Sequence, residues 1–107
     1  MRGRGRAPAR RLTEYRDDPL ADEEELRAVV GDDAVDALLA SAVRDEAMER
    51  AVEIMRVLQG WVGDDDVGRW FRTPQRRLEG VTPVDALAAG AGDDVLAAAQ
   101  RFAAAQG

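Results

Sequence analysis

The sequence contains no cysteine, no histidine and no lysine. Without cysteine there is no disulfide, no thiolate nucleophile and no zinc–sulfur site. Without histidine the commonest general base and the commonest metal ligand are missing. Ser41 is the sole serine. Catalysis by a serine–histidine or cysteine–histidine pair is therefore excluded. No apolar run approaches the roughly 20 residues that cross a bilayer. The basic start MRGRGRAPARR is followed by no hydrophobic segment, so it does not read as a secretory signal. The expectation is a soluble cytoplasmic protein that is not an enzyme and carries no cofactor or metal.

The 107 residues suffice for one domain with a modest core. All fifteen basic residues are arginine, against twenty-one acids, for a net charge of −6. The charge is uneven. Arg2, Arg4, Arg6, Arg10 and Arg11 occupy an opening stretch that has no acid. A basic, Gly- and Pro-interrupted stretch ahead of an acidic body reads as a disordered arm over residues 1–21. Those five arginines are weak candidates for nucleic-acid contact, because no aromatics are interleaved with them. The acidic body also repels phosphates.

From Asp22 onward the chain reads as helices separated by glycine and proline. Asp22 and Glu25 have the spacing of a capping box, and Gly31 stops that helix. Val35, Leu38, Leu39 and Ala42 keep helical spacing, and Ala47, Ala51, Ile54, Met55 and Leu58 continue it as an amphipathic stripe. The pattern leaves open whether 32–59 is one helix or two with a break near Arg44. Gly60 ends it. Gly63 followed by Asp64, Asp65 and Asp66 starts a helix that runs into Trp70-Phe71 and stops before Pro74. Residues 74–79 read as one helical turn closed by Gly80. Thr82-Pro83-Val84-Asp85 is a helix start with threonine as cap and proline at the first position. Asp93 caps a last helix carrying Val95, Leu96, Ala99 and Phe102. No strand alternation is present. The expected fold is all-α, a small bundle of about five or six helices, two of them short.

The segment WFRTPQRRLEGVTP contains three arginines, Arg72, Arg76 and Arg77, around Pro74. They are candidates for ion pairs with Asp64 to Asp66 or Glu79, or for bidentate contact with a partner's carboxylates or phosphates. Trp70 and Phe71 point about 100° apart on a helix, so one is expected in the core and the other at its margin. Trp70 is the core candidate. The three adjacent aspartates do not converge and lack EF-hand spacing, so helix capping accounts for them and metal binding does not.

Several of these features recur together in one known family. Gly63, Asp64 to Asp66, Trp70, Pro74, Leu78 with Gly80, Thr82-Pro83-Val84 with Leu87, Gly92, and Val95 to Phe102 follow in order. In this respect residues 47–107 resemble the C-terminal toxin-binding domain of Xre/MbcA/ParS-type antitoxins. The resemblance implies a type II antitoxin that binds a RES-type, NAD-consuming toxin directly and occludes its active site. It places Arg72, Arg76 and Arg77, with Arg101, Gln106 and Gly107 of the closing helix and tail, on the toxin. Residues 22–46 stand where the family has a DNA-binding helix-turn-helix. That segment is about half the length such a domain needs, so it reads as reduced or absent. Two other readings stand beside this one: a DNA-binding regulator that uses the arm, and a helical dimerisation or adaptor module with no toxin.

Overall fold

A computed structural model describes residues 19–106. The arm arginines Arg2, Arg4, Arg6, Arg10 and Arg11, and Gly107, lie outside the described residues. The fold is all-α. Among the described residues six helices follow one another: α1 (Pro19–Val30), α2 (Asp32–Leu39), α3 (Arg44–Gln59), α4 (Asp64–Arg72), α5 (Pro83–Ala88) and α6 (Gly92–Gln106). A single 3-10 turn, Arg76–Leu78, stands between α4 and α5. Among the described residues the only β-type pairing is an isolated bridge between Gln75 and Val81.

Two helices begin earlier than the capping pattern implies. Helix α1 starts at Pro19, so it takes in residues expected to belong to the arm. Proline suits a first helical position because the missing N–H would have no partner there. Asp22 therefore lies in the first turn and is not the cap. Its carboxylate, like that of Glu25, pairs with Arg56 of α3, at 3.1 and 2.7 Å. Likewise α6 starts at Gly92, which puts Asp93 in the first turn. Thr82 does cap α5, its Oγ1 accepting from the Asp85 amide at 3.1 Å.

The 32–59 stretch is two helices. Residues 40–43 turn between them, and Ser41 secures the turn. Its hydroxyl donates to the Ala88 carbonyl at 2.6 Å and accepts from the Val43 amide at 3.0 Å. The turn leaves Ala42 exposed and removes it from the stripe.

Along α3 the buried set is Ala47, Ala51, Ile54, Met55 and Leu58, as the periodicity predicts. Burying each of the three larger side chains contributes roughly 1.5–3 kcal/mol. This face packs along α6 and against α1, α2 and α5. Leu26 and Val30 of α1 and Val35 and Leu38 of α2 belong to the same core cluster. Residues 22–46 and 47–106 thus share one core.

Helix α4 lies against α1, α3 and α5. With neighbours on several sides, both of its adjacent aromatics are covered. Trp70 is buried as expected, and Phe71 is also fully buried where a marginal position was expected. Their rings meet edge to face with centroids 5.6 Å apart, a favoured aromatic geometry.

Candidate functional site

The segment after α4 is closed by its own backbone. Pro74 prevents continuation of the helix, and Gln75 turns extended. The Gln75 amide donates to the Val81 carbonyl at 3.1 Å, and the Gly80 amide donates back to the Gln75 carbonyl at 2.9 Å. The Gln75 side chain donates to the carbonyls of Trp70 and Thr73 at 3.3 and 2.9 Å. The side-chain bonds hold carbonyls at the end of α4, that of Trp70 also accepting from the Thr73 amide at 3.3 Å. Glu79 (φ 60°) and Gly80 (φ 84°) are both left-handed and bring the chain back. A non-glycine residue in that region carries strain on the order of 1 kcal/mol. Leu78 is buried beneath the loop. Arg76 and Arg77, in the turn just before the fold-back, are exposed.

Helix α6 passes beside this loop. Phe102 reaches toward Trp70, with ring centroids 6.2 Å apart. Between loop and helix lies an open cleft of about 520 Å³. Gln75, Arg76 and Arg77 line it from the loop, and Arg101 and Phe102 line it from α6, with Ala98 and Ala105 beside them. The cleft has no acidic residue in its lining.

Three of the sequence-derived candidates, Arg76, Arg77 and Arg101, therefore come together. Arg72 does not join them. Its Nη1 donates to the Val30 carbonyl at 2.8 Å and so closes the C-terminus of α1. The ion pairs considered for the three loop arginines do not form either. Asp66 pairs with Arg69 at 2.6 Å. The Gln106 amide bonds back to the Phe102 carbonyl at 3.2 Å, within its own helix. Gln75 and Phe102 carry no signal of a site in the sequence, and the small side chains of Ala97 to Ala99 and Ala103 to Ala105 signal only room for a neighbour, inside the molecule or on a partner. Only the approach of α6 to the loop brings Gln75, Ala98, Phe102 and Ala105 together.

Five of the nine arginines in residues 20–106, Arg44, Arg72, Arg76, Arg77 and Arg101, form no ion pair among the described residues, and three of these five line the cleft. Residues 20–106 hold nine arginines and eighteen acids. Arg27 holds Glu23, Asp32 and Asp36, and its pKa is raised chiefly by Asp36. Arg50 holds Glu53 and Asp93. Arg56 holds Glu25 and Asp22, and its pKa is raised chiefly by Glu25. In return Arg56, and then Gln59, hold the Glu25 carboxyl below its ordinary value. Arg76, Arg77 and Arg101 have no carboxylate within ion-pair distance among the described residues.

A second cleft of about 500 Å³ lies where the α5–α6 turn faces α3. Glu46, Glu49, Asp93 and Asp94 line it with Arg50. No group of three or more acidic residues among those described is placed to hold a metal ion. No described helix is long and apolar enough to cross a membrane. In comparisons with protein-family models, curated proteins and solved structures, nothing matches the chain.

Proposed function

We propose that this protein is an antitoxin. It neutralises a RES-type, NAD-consuming toxin by binding it and covering its active site. The reading rests on the resemblance of residues 47–107 to Xre/MbcA/ParS-type toxin-binding domains. One structural observation carries it further: Arg76, Arg77 and Arg101 are gathered, without ion-pair partners among the described residues, around one cleft whose lining has no acid. A surface that leaves three guanidinium groups without carboxylates, while residues 20–106 hold twice as many acids as arginines, is suited to an external anionic partner. Inhibition by occlusion needs only a standard interface, about 800 Å² on each partner. It needs no nucleophile or base from this chain.

The test is co-expression with the product of the neighbouring gene. The expected result is restored growth and co-purification of the two proteins. Undiminished toxicity of that product in the presence of this protein would overturn the proposal.

A further inference from the structure

The structure also points to what the partner brings to this face. We infer that the cleft between the Arg76–Leu78 turn and α6 docks an acidic segment of a partner protein, with an apolar side chain set between its carboxylates. The inference rests on the reading of the chain as a protein inhibitor, and it names the chemistry that the inhibited protein presents.

Charge is the first argument. The lining of the cleft and the second half of α6 contain no acid. From Val95 to Gln106 the helix has no acidic residue, although Asp93 and Asp94 open it. Glu79, two residues from Arg77, makes no ion pair with the cleft arginines. Elsewhere Arg27, Arg50 and Arg56 each attract at least two carboxylates. The cleft therefore offers three cations whose fixed-fork donors match carboxylates.

Shape is the second argument. Phe102 is half-buried in the cleft, and Ala98 and Ala105 are too small to cover it. The apolar surface among the arginines suits a bulky side chain from outside, and about 520 Å³ accommodates one such side chain with flanking carboxylates.

A nucleic acid fits less well. Its phosphates recur every few ångströms along a strand. Beyond the cleft the rest of residues 20–106 holds eighteen acids against six arginines, an excess that repels phosphates. A short acidic segment ends where the positive patch ends.

The test uses the full chain, labelled with ¹⁵N, and needs no toxin. The probe is an acetylated, amidated peptide of sequence Glu-Glu-Phe-Glu-Glu. Its lysine analogue (Lys-Lys-Phe-Lys-Lys) and a short oligothymidylate serve as controls. The expected result is a set of amide shifts at Arg76, Arg77, Arg101 and Phe102 with the acidic peptide. They should fade as salt rises from about 0.02 to 0.5 M, because screening shortens the reach of exposed charges. R76E and R101E should each weaken binding roughly five- to tenfold. Both side chains are exposed and unpaired, so these variants should fold, and R101Q provides a milder check on the same point. No shifts at the cleft, shifts elsewhere, equal binding of the lysine peptide, or tighter binding of the oligothymidylate would each overturn the inference. Growth rescue without peptide binding would sink this inference and leave the antitoxin reading standing. Peptide binding without rescue would do the reverse.

Discussion

Gly68 of α4 lies against the backbone of Val29 in α1. A β-carbon at residue 68 would stand 2.3 Å from the Val29 carbonyl oxygen and 3.1 Å from Nη1 of Arg72. The first contact is with backbone, which cannot swing aside, so the two helices approach as closely as they do because residue 68 is glycine. In an open helix interior, Gly68→Ala would gain about 0.5–1 kcal/mol. Here the overlap opposes that gain, and overpacking of this kind typically costs about 1–3 kcal/mol. Steric overlap should win. The expected outcome is a lower midpoint of thermal unfolding, since 1 kcal/mol corresponds to roughly 4–8 °C in a domain of this size. A midpoint at or above wild type would refute the close approach.

Ser41→Ala should destabilise the fold without touching the arginine cleft. The hydroxyl joins the α2–α3 turn to the end of α5 through its bonds to Ala88 and Val43. Its loss leaves a part-buried carbonyl without that donor, at a cost of about 1–2 kcal/mol. Denaturant unfolding measures the change. The amide shifts of Arg76 and Arg101 on adding the acidic peptide should stay as in wild type.

Arg72→Ala separates two roles that look identical in the sequence. The guanidinium closes the C-terminus of α1 through Val30 and does not line the cleft. The variant should lose about 1 kcal/mol of stability, the usual worth of a hydrogen bond of this type. Its affinity for the acidic peptide should be unchanged. Weakened binding in a fully folded Arg72→Ala protein would place Arg72 on the partner face after all.

The Glu25–Arg56 pair predicts a pH dependence. Arg56, and then Gln59, hold the Glu25 carboxyl below its ordinary value near 4.5. A carboxyl with a depressed native pKa stabilises the fold above its unfolded pKa. That contribution is lost as pH falls through the native value. Glu25→Gln should therefore be less stable than wild type at neutral pH, and the two should converge well below pH 4.5. The pair is partly exposed, with 40 % of the Glu25 side chain accessible, so solvent screening limits the difference to below about 1 kcal/mol. Thermal midpoints of both proteins across pH check it. A gap that widens in acid would contradict the assigned pairing.

Most of the helical framework was legible in local chemistry. The stripe from Ala47 to Leu58 predicts the buried face of α3 residue for residue. Gly63 with its aspartates, Pro74, and Thr82-Pro83 mark ends and starts because caps and missing donors act within one turn of the chain. Asp22 and Asp93 misled for a physical reason. An aspartate suits a cap and a first turn alike, and the helix N-terminus favours its charge in both places. Phe71 misled because one helix considered alone has an outside, whereas α4 is enclosed by α1, α3 and α5.

The candidate site was half legible. Arginine composition around Pro74 singled out Arg72, Arg76 and Arg77, but nothing local distinguishes among them. Val30, 42 residues from Arg72 in sequence, takes one of the three. The approach of α6 brings Arg101 and Phe102 to the other two. The sequence by itself determined the all-α class, the absence of cysteine and histidine chemistry, and the places where most of the helices break, because these depend on composition and on neighbours within a few residues. The tertiary structure alone decided which arginines are spent inside the molecule and which stand free around the cleft. That choice depends on contacts between segments far apart in the chain, and no local pattern encodes them.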